Sequence, residues 1–369
     1  MPAYQARFWF NPSLRRSRVL LGALLISTAL AAGILGLPRT AQAATITVTT
    51  TTDEFNTGPG CSLREAIRAA NNDVAFGGCS AGSGPDTITF NVNGIFLITI
   101  TPGPDENADA SGDFDLLSDI TIQGNGAANT IVDAGSADRV FDIAPLGGPT
   151  PTVVLSGLTV QNGKAFPVNF NVGGGIYIGN TATVTINNST LTSNQSMAST
   201  GGAIENRGAL TLNGVTLQNN TAFSLGGAVY SPGSLTATNS TFSGNKAESG
   251  GALYLSTSST RSATITGSRF TGNQAVATAG NVEDSGGAIA VNTDGQVTIS
   301  GSTFTGNSAA ANGGAIYFND SATEAAVGVL GLSYSRITGN TAAGAGSGLY
   351  RAGGTATAQK NWWGCNEGP

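Results

Sequence analysis

The chain contains no histidine. That absence excludes Ser-His-Asp and Cys-His nucleophilic catalysis, and any metal site built on imidazole. Charged residues make up only 10% of the chain, against about a quarter in an average soluble protein. Three cysteines leave room for one disulfide and one remainder. After residue 43 no apolar run is long enough to span a bilayer. Hydrophobic content, at 40%, is nevertheless too high for a disordered chain.

What is abundant is glycine, 53 of 369 residues, about twice the usual share. Acidic groups also outnumber basic ones. Residues 1–43 hold five arginines and no acid, so the remainder carries 11 basic and 22 acidic groups, a formal net of −11. Nucleic acid is therefore not an expected partner, because phosphate binding needs a basic footprint. An anionic membrane surface is disfavoured for the same reason.

Residues 1–18 are basic, Val19 to Leu37 is mostly apolar, and Ala41-Gln42-Ala43 is an A-x-A cleavage signature. This is the order of a secretory signal peptide over 1–43. The alternative is an uncleaved anchor; the A-x-A site favours cleavage. The expected location is therefore secreted or at the cell surface, where disulfides persist.

One unit recurs from Gly173 onward. It opens with Gly-Gly-(Ala/Gly)-(Ile/Val/Leu) at Gly173, Gly201, Gly226, Gly250, Gly286 and Gly313, with a degenerate copy at Gly346. Each of the first six copies continues into an alternating strand and ends in apolar-x-x-Asn: Leu191/Asn194, Leu217/Asn220, Phe242/Asn245, Phe270/Asn273, Phe304/Asn307 and Ile337/Asn340. Runs such as Val184-Thr185-Ile186 and Val297-Thr298-Ile299 alternate with period two and are β-branched. A unit of about 25 residues with two or three short strands fits one coil of a parallel β-helix. With coils about 4.8 Å apart, the rod would be roughly 45 Å long.

Stacking turns each position into a column. Ile176, Ile204, Val229, Leu253, Ile289, Ile316 and Leu349 are expected to point inward, as is the Phe/Leu column before the asparagines. The asparagines should sit at a bend in the left-handed conformation and form an amide ladder. The paired glycines should allow a corner that a β-carbon would crowd. The residue after the inward aliphatic should point outward; it reads Tyr177, Glu205, Tyr230, Tyr254, Ala290, Tyr317 and Tyr350. As a candidate ligand-binding stripe, these five tyrosines would stack on glycan rings. As structure, they would stack on one another and stiffen the face. Glu205 is read as support for exposure of this column. Insertions within 274–285 and 320–329 are expected to form loops.

The segment 44–150 reads as a cap and first irregular coils, followed by regular coils over 151–369. Ser62-Leu63-Arg64-Glu65 starts a helix to about Asn71, with Ser62 and Glu65 forming a capping box. Such a helix would cover the open end of the solenoid. Glu65 is therefore a structural residue rather than a catalytic acid. Cys61 and Cys79 flank the helix and are expected to pair. In the entropy model the closed loop contributes about 3 kcal/mol. Cys365 is left as a free thiol, an interchain bridge, or the partner of a lost cysteine. Among the acids at Asp105, Glu106, Asp109, Asp113, Asp115 and Asp119, the set Asp109, Asp113 and Asp115 is a candidate calcium site, with a solvated acidic loop as the alternative. No other cofactor is expected.

Cys61-Ser62-Leu63-Arg64-Glu65-Ala66-Ile67 resembles the signature of CSLREA-domain proteins. Gly112-Asp113-Phe114-Asp115, Thr130-Ile131-Val132-Asp133 and Asp138-Arg139-Val140-Phe141 are similar to segments that follow it there. The Gly-Gly-Ala-Ile and Phe-x-x-Asn repeats resemble polymorphic outer membrane proteins, and Asn361-Trp362-Trp363-Gly364-Cys365 resembles the closing segment of many secreted β-helices. The resemblance implies an exported bacterial protein of all-β class, a right-handed parallel β-helix with an N-terminal capping helix. It implies adhesion, glycan or ligand binding, or a structural stalk, without a defined reaction. The partner would be an extracellular glycan or a surface protein of a host or neighbouring cell. A polysaccharide-active lyase or hydrolase is the alternative, because pectin-cleaving enzymes share this fold. Asn292-Thr293-Asp294-Gly295 looks like one polygalacturonase motif, but the adjacent aspartates and the histidine of that set are missing.

Overall fold

The computed structural model describes residues 43–101, 109–144, 148–166, 172–197, 199–277, 285–320 and 327–364. The leader, Asp105, Glu106, Cys365 and most of both insertions lie outside the described residues. Among those described, the strands form four sheets of eleven, nine, nine and seven members. Each strand pairs in parallel with the equivalent strand one coil away. Ile176-Tyr177-Ile178, for example, lies in register between Phe141–Ile143 and Ile204–Asn206. Lateral pairing with the next coil, not the next strand in sequence, is what makes a parallel β-helix.

A regular coil has four strands rather than the two or three expected. The coil from Ile176 runs through Ile176–Ile178, Thr183–Asn187, Thr190–Thr192 and Gln195–Ser196. The fourth is only two residues long, too short to show a period in sequence. In the irregular first coils, Gly94–Leu97 and Phe114–Leu116 are strands.

The inward columns hold. Ile176, Ile204, Val229, Leu253, Ile289 and Ile316 are fully buried. Phe242, Phe270 and Phe304 stack inside the rod, with centroids 4.7 and 4.8 Å apart and planes tilted by 1° and 5°. Parallel faces are not the arrangement that ring quadrupoles prefer. The coil repeat imposes the spacing, and burial of apolar area, about 1.5–3 kcal/mol per side chain, stabilises it.

The amide ladder also forms. The side-chain amide of Asn194 donates to Asn220 Oδ1 at 3.1 Å, Asn220 to Asn245 at 3.0 Å, Asn245 to Asn273 and Asn273 to Asn307 at 2.9 Å, and Asn307 to Asn340 at 2.8 Å. Each second amide proton goes to a carbonyl of the preceding coil, as from Asn245 to Leu217 O. The expected left-handed conformation falls one residue earlier, at Ser193, Asn219, Gly244, Gly272, Gly306 and Gly339. That residue makes the bend, and the bend turns the following amide inward to be buried and saturated.

A second ladder, absent from the sequence reading, repeats this device. Ser240, Ser268, Ser302 and Ser335 each accept from the backbone N–H one coil before, at 3.2 Å. Each follows a residue of positive φ: Asn239, Gly267, Gly301 and Tyr334. In the glycine pairs the two members differ in role. Gly226 has φ +66° and a β-carbon on it would meet Val229 O of its own turn at 2.2 Å, whereas one on Gly227 would meet Gly251 O of the next coil at 2.1 Å.

The helix Leu63–Asn72 covers the first coil. Ser62 and Glu65 form the capping box, and Leu63, Ala66, Ile67, Ala69 and Ala70 are buried. Cys61 and Cys79 are disulfide-bonded, with Cα atoms 4.7 Å apart. Arg64 is fully buried. Its Nε and Nη2 donate to the Asp53 carboxylate at 2.7 and 3.2 Å, and Nη2 donates to Gly112 O at 2.7 Å. The guanidinium also lies 4.8 Å from the Phe114 ring centre. Each residue of Cys61–Ala66 thus has a structural task in closing the rod. No described helix is long and apolar enough to cross a membrane.

Candidate functional site

The tyrosines belong to a longer row than the sequence reading defined. In register, one residue per coil, it runs Asp115, Asp142, Tyr177, Glu205, Tyr230, Tyr254, Ala290, Tyr317, Tyr350. The first two members were missed because their coils lack the glycine pair. The signal present was the apolar-x-apolar pattern of Phe114-Asp115-Leu116 and Phe141-Asp142-Ile143.

The expectation that this row faces water is corrected. Tyr177, Tyr254 and Tyr317 are buried, Tyr230 and Tyr350 half-buried, and Glu205 is fully buried. The glycine loops lie across the outer face. A β-carbon on Gly173 would be 3.0 Å from Glu205 Cβ, and one on Gly346 would be 2.8 Å from Tyr350 Cβ. Tyr230 and Tyr254 stack at 5.8 Å, as do Tyr317 and Tyr350. Paired rings turn faces toward each other, and those faces are then closed to a sugar ring. Tyr254 Oη accepts from Asn292 Nδ2 at 3.3 Å.

The densest ionisable cluster sits where the row begins. Arg139 donates through Nε to Asp113 and through Nη2 to Asp142, both at 2.8 Å; the three side chains are 15, 8 and 7% exposed. Asp138 accepts from the backbone N–H groups of Arg139 and Asp113. Burial, reinforced by Asp109 and Asp113, pushes Asp115 up to about 9. Burial raises Asp142 to about 7 against the pull of Arg139, and raises Asp138 to about 6 with help from Asp113. Burial works against the Arg139 charge, but Asp113 and Asp142 outweigh it and raise its pKa.

The calcium candidates are committed elsewhere. Asp109 accepts from Asp115 N at 2.7 Å, and Asp115 accepts from Asp109 N at 3.2 Å, so the two carboxylates clasp each other's backbone. Asn71 donates to Asp109 Oδ2 and to Asp115 O. Asp113 is paired with Arg139. Among the described residues, no group of three or more Cys, Asp or Glu side chains is placed to hold a metal ion.

Further along, Tyr177 lies under two cations, with Arg139 5.8 Å and Arg207 5.9 Å from its ring centre. Arg207 Nε donates to Glu205 Oε1 at 3.0 Å, and Thr200 Oγ1 donates to Glu205 Oε2. Burial raises the Glu205 pKa, more than Thr200 and Arg207 lower it. Asp294 is half-buried in the turn between Ile289–Asn292 and Gln296–Ser300, five coils from Asp142. At the coil repeat that is about 24 Å along the rod, so Asp294 and the carboxylate cluster do not form one site.

A family model described as a right-handed beta helix region matches residues 116–362, more than half of the chain. No curated protein and no solved structure matched it. The parallel coils and the extent of that match assign the chain to the right-handed β-helix family.

Proposed function

We propose that the protein is an exported rod that binds an extracellular glycan or a surface protein of a neighbouring cell, without catalysis. The observation that carries this reading is the commitment of the carboxylates. Asp113 and Asp142 are ion-paired to Arg139, Asp109 and Asp115 clasp each other's backbone, and all are buried. Glycoside hydrolysis needs two carboxyls flanking an accessible bond, one to protonate the leaving oxygen and one to act on the ring or on water. The disulfide is compatible with an oxidising exterior. Calcium is not part of this reading.

One observation favours the rival reading of a polysaccharide hydrolase or lyase. Asp138 and Asp142 titrate near neutrality, as a general acid must. A reducing-end and unsaturated-product assay over polyuronates and neutral glycans, with and without calcium, separates the two. Binding without product release is expected. Product release that disappears in Asp142→Asn or Asp294→Ala would make the protein an enzyme.

A further inference from the structure

Two cations that the cluster does not use meet at the corner between the tyrosine-bearing sheet and the eleven-stranded sheet. Arg207 follows the strand Ile204–Asn206, and Arg261 precedes Ser262–Thr266 two coils later. The Arg261 side chain reaches back along the rod. Its Nη1 donates to Arg207 O and to Pro232 O, in the coil between. Among the described residues, Arg261 thus binds backbone carbonyls and pairs with no carboxylate. Arg207 spends Nε on Glu205, and among the described residues neither Nη group has a hydrogen-bond partner, on a side chain that is 43% exposed.

The arrangement is unusual for this composition. With 22 acidic groups against 11 basic ones after residue 43, an arginine has carboxylates in excess to pair with. Here two are brought to one corner instead, beside a single buried carboxylate of the row. Burial also favours the protonated form of that carboxyl, Glu205, and so weakens its claim on Arg207. The Arg261 guanidinium sits against the Arg207 backbone, and guanidinium forks match the planar oxygens of a carboxylate or the tripod of a sulfate.

We propose that Arg207 and Arg261 form a subsite for an anionic sugar unit, bearing a carboxylate or a sulfate, on an extracellular glycan. The half-buried Tyr230, next to Glu205 in register, borders the same corner and offers a ring edge to the sugar. The rest of the rod is acidic, so the subsite suits a glycan with anionic groups spaced among neutral sugars better than a dense polyanion. This rests on the binding role proposed above and names the ligand class for it.

The test is titration calorimetry of the disulfide-bonded protein with glucuronoxylan and κ-carrageenan, beside their uncharged counterparts xylan and agarose. Binding of either anionic glycan, weakened about tenfold by Arg207→Gln or Arg261→Gln, is expected. Xylan and agarose should bind more weakly than their anionic counterparts. Preference for glucuronoxylan would assign the group as carboxylate, and preference for κ-carrageenan as sulfate. A second measurement needs no variant: raising the salt concentration should weaken anionic binding and spare neutral binding. Equal affinity for charged and neutral glycans, anionic binding indifferent to both substitutions, or no glycan binding would overturn the subsite. Neutral binding alone would still leave the binding role standing. Release of cleaved product would overturn the binding role itself.

Discussion

Asp115 and Asp142 stand side by side in register on neighbouring parallel strands, and one carboxylate oxygen of each is buried with no hydrogen-bond partner among the described residues. Two carboxylates in adjacent rungs cannot both ionise cheaply away from water. Burial first, then the charges of Asp109 and Asp113 and, least, that of Asp142, keep the proton on Asp115 at neutral pH, while the Arg139 ion pair pulls against the rise at Asp142.

The sign of the pH dependence follows. Asp138, Asp142 and Asp115 titrate at about 6, about 7 and about 9 in the folded chain, above their unfolded value. The folded state thus holds more protons than the unfolded state. The stabilisation is complete below the unfolded pKa, near 4, and is lost as pH rises through the folded values. Urea midpoints should fall between pH 5 and pH 9.5, by on the order of 1 kcal/mol per pH unit for each proton involved. Asp115→Asn should flatten the upper part of that fall. A midpoint that rises over this window would contradict the buried protons.

Arg64 should be among the most costly single positions. Replacing it with alanine takes the cation from the Asp53 carboxylate, leaving it the backbone N–H groups of Thr99 and Ile100, and takes the donor from Gly112 O, at about 3–5 kcal/mol for breaking a buried pair. Arg64→Lys should recover only part, because an ammonium cannot reproduce the fork. Chemical denaturation followed by circular dichroism checks both. A near-neutral Arg64→Ala would show that the capping helix does not depend on this clamp.

The interior of the asparagine ladder should be more sensitive than its end. Asn245 Oδ1 accepts from the backbone and side chain of Asn220, and its amide donates to Leu217 O and Asn273 Oδ1. Asn245→Ala leaves several buried groups unpaired and should cost at least about 3 kcal/mol. Asn340→Ala, at the last described rung and slightly exposed, should cost less. Equal losses in thermal denaturation would argue against a cooperative ladder.

Glycines of equal appearance in the sequence should respond differently. A β-carbon on Gly227 would meet Gly251 O at 2.1 Å, so Gly227→Ala should block folding. Gly272 has φ +62° and open space around it, in the column that holds asparagine at 219. Gly272→Asn should therefore be tolerated within about 1 kcal/mol. Yield of folded protein and melting temperature of the two variants report the difference.

The columns of the rod were legible because parallel stacking returns each structural position once per coil. A residue's task recurs as a phase in the sequence: the inward aliphatics, the Phe242–Phe270–Phe304 stack and the asparagine ladder all show it. The capping box was legible for a related reason, since Ser62 and Glu65 are local partners. The serine ladder was overlooked because serine is common and its task depends on the left-handed residue before it.

What lies over the outer face followed another logic. Whether Tyr177 or Glu205 meets water depends on the path of a glycine loop; the glycines recur once per coil, but that they lie over the outer face is a tertiary contact. The ion pairs are similarly hidden. Arg139 joins Asp113 from the preceding coil, and Arg261 crosses a whole coil to reach Arg207. Period and local chemistry define the coil, because each coil repeats the same interactions. The charged groups that meet between coils are decided only when the loops have been laid down, because their partners share neither period nor neighbourhood in the chain.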